Sequence, residues 1–597
     1  MSETKKRLPG AADMTSAILV SIFCGAVLEY MAEAIARDGF SQAFHWIVTA
    51  PGAFVCSAGL IACTFLTFLC LARRMSSAFG VTAALTLTCA GVQYYKLLLK
   101  GDVFQFGDVL LVREAVQITD HFQLIPTVTL IACIAVCIAL VLLLRRRRIR
   151  IHLALRAVLC ALMASATIFA AQGLPDRIAR MTGTAEVVIP QDYYETNGLA
   201  AGLIKTMPLP PEEPEGYSEA SVWEALNALP APEADAAQSV LPDIFFIMNE
   251  TLYDLQNIDE ISLTEDPLAY LKTCQASYAG AELLSPSYGG NTCQVEYEVL
   301  TGYPARNSVG MAYQTVPLEG AASVVGALDA SGYYTLALHP YTRTFYERDR
   351  VYAQMGFDDM AFEDDMAQPL RRISWQVTDD CLYDELIERY EHRDKSRPFF
   401  AHVVTIQNHG EYDFEWSGAG SVRSADETQD PQARAQLETY ASLLRESDAA
   451  LKKLISYFER QKRPVLLVLW GDHAPNLSLF GVDTSSYEED AQRYGRLYCT
   501  PLLIYNNYGL DVELPEVMSS YRLGAFALRL ANVPLDAYLT RMGAAGVPDS
   551  NDALVFEADH FRWKPDASEE AKRTFDAIRL CQYDRLYGER YSEKRVE

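Results

Sequence analysis

Five long apolar stretches crowd the first 172 residues, and they constrain the fold more than anything else in the chain. They run over about Met14–Ala34, Pro51–Ala72, Ser77–Tyr95, Leu124–Leu144 and Leu153–Ala171. A bilayer takes roughly 20 residues of helix to cross, so residues 1–172 read as a five-helix transmembrane domain. Four stretches follow the first, which is therefore no cleaved signal peptide by itself. Basic residues set the orientation. Lys5, Lys6 and Arg7 precede the first stretch, Arg73 and Arg74 separate the second from the third, and Arg145–Arg148 with Arg150 separate the fourth from the fifth. With five crossings these clusters share the cytoplasmic side, and the chain after Gln172 lies outside the cell membrane. Two readings stand for Glu29 and Glu33, late in the first stretch: a polar contact to a headgroup or partner, or a wet position at the outer interface. The segment Lys100–His121 is amphipathic and is expected along the membrane surface.

Charge divides the chain at the same point. Residues 1–172 carry a net +6, and the remainder carries −32, within a total of −26. So acidic a chain is not built to neutralise nucleic-acid phosphates. Eight of the 13 cysteines lie in the apolar runs, and the other five show no CxxC pair, so neither a zinc finger nor a disulfide framework is indicated.

Residues 173–240 contain PLPPEEPEG and ALPAPEADAA, a Pro-rich acidic linker. Residues 241–560 then alternate short apolar runs with helical periodicity. The runs Asp243–Met248, Thr335–Leu338, Phe399–Ile406, Pro464–Leu469 and Pro501–Tyr505 read as buried, mainly parallel strands. Leu437, Tyr440, Leu444, Leu451, Ile455 and Phe458 mark one face of a helix over Ala433–Gln461. Such alternation gives a doubly wound α/β sheet flanked by helices. Residues 561–597 read as a charged C-terminal helical segment, solvated against the domain surface.

Functional groups in such sheets gather beyond the carboxyl ends of the strands. Asn249-Glu250 follow the first strand, His339 and then Arg348 the second, Asn408-His409 the third, and Gly471-Asp472-His473 the fourth. Four strands thus deliver carboxylates and imidazoles to one edge. Oxygen and nitrogen donors without thiolate suit Mn²⁺, Mg²⁺ or Zn²⁺. In SYGGNTCQVEYEVLTG (Ser287–Gly302), Gly289-Gly290 make a turn, Asn291 is a good N-cap and Thr292 opens a helix. A hydroxyl there is either one more cap or a nucleophile favoured by the helix amino end and a neighbouring metal.

The motifs MNETLYDL, GGNTCQVEYEVLTG, LHPYTRTFYERDRVYAQMGFD, QNHGEY, WGDHAP and TPLLIYNN, in this order, resemble the lipoteichoic acid synthase family, membrane-anchored members of the alkaline phosphatase and sulfatase superfamily. The resemblance implies a Thr292 nucleophile and one divalent ion, typically Mn²⁺, on Glu250, Thr292, Asp472 and His473. It implies substrate contacts from His339, Tyr346, Arg348 and His409, with Arg348 pairing a phosphate through its planar fork and His409 as proton donor or oxyanion partner. Cys293 lacks the C-x-P-x-R context of sulfatases that oxidise a cysteine, and reads as packing. Tyr346 replaces a family Trp, and Tyr341 a small polar or acidic residue, so the acceptor pocket departs from that of the polyglycerolphosphate synthases. The implied reaction transfers glycerolphosphate from phosphatidylglycerol to an envelope glycolipid or glycan and releases diacylglycerol. The alternatives are phosphoethanolamine transfer, hydrolysis, and a non-catalytic polymer-binding protein.

Overall fold

The computed structural model describes residues 11–593 except 101–102, 110–125, 149–152, 183–189, 206–210, 212, 231–240, 309–310, 488–494, 545–546, 548–553, 558–559 and 564–567. It divides into two compact units, Met1–Pro208 and Leu209–Glu597.

In the first unit each expected apolar stretch is a helix. Three are long and apolar enough to cross a membrane: Thr15–Ala36 within α1 (Ala11–Ala36), all of α3 (Pro51–Ala72), and Met75–Leu98 within α4 (Met75–Lys100). Two are shorter: α5 (Val128–Leu144), and Arg156–Ala171 within α6 (Leu153–Gln172). The reason for α5 is local. Pro126 blocks an earlier start, Thr127 caps the helix by accepting from the Leu130 N–H, and 17 residues remain, about 26 Å at the helical rise. Leu19, Phe23, Val55, Leu143 and Phe169 are each more than half exposed; apolar surface on this scale belongs in lipid, and the unit is a membrane anchor. A short helix, α2 (Phe40–Thr49), joins α1 to α3. Within the stretch read above as linker, α7 (Leu174–Thr182), α8 (Pro190–Asn197) and α9 (Leu199–Lys205) belong to this unit.

Glu29 and Glu33 are buried, not wet. Glu33 is met by donors from two directions: Arg37 Nε donates to Oε2 at 2.8 Å and the Leu199 N–H to Oε1 at 2.7 Å. Most of the amphipathic segment 100–121 lies outside the described residues.

The second unit is built on an eight-stranded sheet. Its strands are β1 (Asp243–Asn249), β2 (Ala279–Leu284), β3 (Tyr334–Leu338), β4 (Asp359–Ala361), β5 (Phe399–Val404), β6 (Val465–Gly471), β7 (Cys499–Asn506) and β8 (Val517–Ser519). The order is β8-β2-β7-β6-β1-β5-β3-β4. Every pairing is parallel except the two made by β7. The Pro501–Tyr505 run thus runs opposite to the parallel reading: β7 pairs antiparallel with both β2 and β6. β1 sits centrally and is buried throughout, as a strand covered on both faces requires.

Five helices matter for the site: α10 (Thr292–Thr301), α11 (Arg348–Met355), α12 (Asp379–His392), α13 (Pro431–Phe458) and α14 (Ser520–Leu530). All six residues of the expected apolar face of α13 are buried. Its start is fixed by Asp430, whose carboxylate accepts from the Gln432 and Ala433 N–H groups, with Pro431 at the first helical position.

The C-terminal segment is less solvated than its charge suggests. Helix Glu569–Leu586 packs on helix Glu219–Ala228. Arg585 is fully buried and pairs with Asp536 at 2.7 Å. Asp584, also buried, accepts from the Tyr217 hydroxyl at 2.6 Å and from the Ser592 N–H and hydroxyl at 2.8 and 2.7 Å.

Candidate active site

Four strand ends and one helix start converge on the carboxyl edge. Glu250 leaves β1, and its N–H donates to Thr405 Oγ1 at 3.0 Å, just beyond β5. Thr251 follows with φ +47°, a left-handed conformation that a β-branched residue rarely adopts. That turn aims its N–H at Asp472 Oδ1, 2.6 Å away, and its hydroxyl at Glu250 Oε1, 2.8 Å away. Asp472 and His473 leave β6, where the sequence has Gly471 for a reason. A Cβ there would lie 2.0 Å from the Leu252 carbonyl oxygen, so only glycine lets the loop after β1 cross β6.

Thr292 reaches the same point from the other side. Gly289 and Gly290 take φ +66° and +149°, conformations open to glycine, and the Gly289 N–H ties the turn to the Ala474 carbonyl at 3.0 Å. Asn291 holds the cap position at φ +65° but makes no side-chain cap bond; its contribution is the left-handed turn rather than the expected capping. Thr292 opens α10, is 5% exposed, and donates to Glu250 Oε2 at 3.5 Å.

Glu250, Asp472 and His473 are all buried, with ligand atoms within 4.8 Å of one another. His473 Nδ1 lies 2.9 Å from the Ala474 carbonyl, which assigns the proton to Nδ1 and leaves the Nε2 lone pair facing the carboxylates. Nε2 is 3.2 Å from Asp472 Oδ2 and 3.7 Å from Glu250 Oε1. Asp472 Oδ2 is buried without a hydrogen-bond partner. Burial, with the Asp472 carboxylate beside it, holds the Glu250 carboxyl well above the usual carboxylate range. Two buried carboxyls, an orphaned oxygen and an imidazole lone pair around one point are the donor set of a divalent cation, and these residues fit one.

His339, after β3, belongs to a second group. Its Nδ1 lies 3.0 Å from the Val404 carbonyl and its Nε2 accepts from Arg348 Nη1 at 3.2 Å. Burial and then the guanidinium hold its pKa down at about 3, so the ring is neutral. Arg348 opens α11 and is 1% exposed. Its Nε and Nη2 both reach Glu296 Oε2 at 2.9 Å, so the planar fork assigned above to a phosphate is given to a carboxylate. Against burial, which raises it, the Arg348 guanidinium and His402 hold the Glu296 pKa down at about 2. Tyr346, at φ +55°, lies with its ring centroid 5.2 Å from the same guanidinium.

His409 stands in a third group, its ring 5.3 Å from Trp375. Tyr341 links this group to the second, 5.5 Å from Trp375 and 6.3 Å from His339. The result is an aromatic wall made of both His339 and His409.

Sequence reading missed Glu296, although its signal was present: a carboxylate four residues after Thr292 lies on the same helix face. It also missed Trp375 and the buried network that fixes the strand ends. In that network Asn249 donates to Asp379 at 3.0 Å, Asn408 to Asn249 at 3.1 Å, and Ser447 to Asp379 at 2.6 Å. Asn249 and Asn408 therefore brace the edge.

Comparison with known proteins bears on the fold. Residues 242–533 match the sulfatase family model. A candidate cyclic beta-1,2-glucan modification protein of Rhizobium meliloti (strain 1021) is 28% identical over 53% of this chain and 50% of its own length, so the match spans half of that relative. Among solved structures, Streptococcus pyogenes phosphoglycerol transferase GacH, in complex with sn-glycerol-1-phosphate, aligns with TM-score 0.53 at 19% identity over 65% of this chain and 99% of that one. The integral membrane lipooligosaccharide phosphoethanolamine transferase A of Neisseria meningitidis aligns with TM-score 0.50 at 13% identity over 88% of this chain and 96% of that one. Both likenesses concern fold. Behind its apolar helices, the chain thus carries a mixed, mainly parallel α/β domain of sulfatase-like fold.

Proposed function

We propose that the chain is a metal-dependent transferase that moves glycerolphosphate from phosphatidylglycerol to a glycan of the cell envelope through a covalent Thr292 intermediate. The observation that carries this reading is the Thr292 hydroxyl, buried at the start of α10 and 3.5 Å from Glu250 in the Glu250–Asp472–His473 group. The lipoteichoic acid synthase motifs support the donor. The Rhizobium relative supports a glucan-type acceptor, and the Tyr341–Trp375 wall is suited to stacking on sugar rings.

Thr292 Oγ1 attacks the phosphorus of the headgroup. The Oγ–P bond forms as the P–O bond to diacylglycerol breaks; the hydroxyl proton goes to solvent, and the departing oxygen takes one from His409. An acceptor hydroxyl then attacks the phosphorus of the glycerolphospho-threonine and gives its proton to His409; the new P–O bond forms as the Oγ–P bond breaks, and Thr292 Oγ1 takes a proton from solvent. A divalent ion, Mn²⁺ in our reading, bound by Glu250, Thr292, Asp472 and His473, supplies a lowered hydroxyl pKa and charge neutralisation. The amino end of α10 favours the anionic phosphoryl group. Glu296 pins Arg348 so that its remaining N–H bonds are fixed in space, which is the kind of positioning phosphoryl transfer depends on. In this reading the N-terminus is cytoplasmic and the second unit lies outside the membrane.

The test is mass spectrometry of the full chain in detergent with Mn²⁺ and phosphatidylglycerol labelled in its headgroup. A glycerolphosphate adduct on Thr292, absent from Thr292→Ala and lost on chelation, is the expected result. No adduct and no diacylglycerol release from a Mn²⁺-binding sample would reject this donor.

A further inference from the structure

We propose that the membrane unit holds a phospholipid headgroup site of its own, in the cavity beside α2 and separate from the catalytic edge. The cavity has a volume of about 1080 Å³ and is lined by Arg37, His45, Trp46, Thr49, Met181 and Glu195, among others.

The helix beside it has three faces. Ala43 and Trp46 are buried against the unit. Phe40, Phe44 and Val48 are exposed at successive fourth positions, which aligns them as an apolar stripe. Ser41, His45 and Thr49 are exposed in a parallel polar stripe one position further round, and all three line the cavity. Because α2 joins two membrane-length helices, it lies at the membrane surface. An apolar stripe at that level enters the acyl layer, and the polar stripe beside it sits among the headgroups. This placement commits the occupant to a phospholipid.

Arg37 supplies the anion contact. Its Nε is held by Glu33 at 2.8 Å, and its Nη2 donates to the Tyr194 and Glu195 carbonyls at 3.2 and 2.7 Å. The guanidinium lies 5.2 Å from the Trp46 ring centroid, and Trp46 Nε1 is itself fixed on the Thr196 carbonyl at 3.0 Å. Among the described residues Nη1 donates to no acceptor. A guanidinium pinned on two of its nitrogens, with the third spare, is a preorganised phosphate ligand. The exposed His45 ring adds a donor to the phosphodiester, while the Thr49 hydroxyl donates to the His45 and Trp46 carbonyls at 3.1 Å and keeps the polar stripe wet.

Arg37→Gln would also release the 194–195 chain, so it tests the fold as much as the ligand. The deciding variant is the full chain with His45→Glu and Thr49→Glu, two exposed positions, in a Thr292→Ala background. A second, Gly52→Leu, fills the cavity: a Cβ at Gly52 lies 2.9 Å from Met181 Sδ, a flexible end that can move aside. Native mass spectrometry counts dioleoylphosphatidylglycerol retained after delipidation in detergent. Retention is expected to fall about tenfold in both variants, while dioleoylglycerol and free glycerol-1-phosphate are retained by none. Unchanged retention, or equal retention of dioleoylglycerol, overturns the proposal. So does retention that Thr292→Ala alone abolishes, since the lipid was then on the catalytic edge. Retention at this cavity with no Thr292 adduct leaves the site standing and the proposed reaction rejected.

Discussion

Glu296 stands one helical turn beyond Thr292, and its carboxylate is what fixes the Arg348 guanidinium. Glu296→Gln removes half of a buried pair and strands a charge, which costs about 3 kcal/mol of stability. Transferase turnover should fall by roughly 10² because the guanidinium is no longer held. Adding Arg348→Met should restore the melting temperature but not the turnover; recovery of both would reduce the pair to a structural role. Asp472 is tested through binding. Mn²⁺ at a hundred times its Kd should stabilise the native chain by about 2.7 kcal/mol, and Asp472→Asn, read by thermal melts with and without the ion, should lose that increment. A full Mn²⁺ shift in the variant would remove Asp472 from the ligand set.

At the scale of elements, α10 couples fold stability to pH. Its Glu298 is buried, accepts from the Ala305 N–H at 2.7 Å and from the Ser520 hydroxyl at the start of α14, and is pushed up to about 7 by burial. A carboxyl raised in the folded state stabilises the fold at low pH. That contribution begins to fade above about pH 4.5 and is gone as pH rises through about 7, a loss of up to about 3 kcal/mol. Glu298→Gln should flatten urea-melt stability across this window; an unchanged slope would place the titration elsewhere. Gly471→Ala places a Cβ 2.0 Å from the Leu252 oxygen and should destabilise by about 2 kcal/mol or more while weakening Mn²⁺ binding, seen by calorimetry.

Five of the eight strands were legible because each is a continuous apolar run. AGAELL, DMA and VMS were not, since short edge or near-edge strands carry little periodic signal. The strand ends were legible too, as positions following apolar runs. The Glu296–Arg348 pairing was not: it joins α10 to α11 across 52 positions, and no local pattern encodes which partner a buried arginine takes. The β7 reversal was hidden likewise, because strand direction is set by the connection and not by composition.

The whole molecule joins an apolar, basic anchor to an acidic α/β unit. Its thirteen cysteines are all at least partly buried, which leaves a low background for surface labelling. A cysteine placed near residue 597 should react with a membrane-impermeant maleimide on intact cells, and one placed at residue 2 should not. The opposite pattern would put the catalytic unit in the cytoplasm and end the proposed access to an outer-leaflet donor.

The helix Glu569–Leu586, with Asp584 bridging Tyr217 to Ser592, has a bearing on biosynthesis. The first helix of the second unit, Glu219–Ala228, waits for a mate that the ribosome delivers some 350 residues later. The anchor is therefore made long before its cargo can close. During that interval the nascent unit stays tethered to its anchor with Val222, Ala225 and Leu226 of that helix still waiting for their cover.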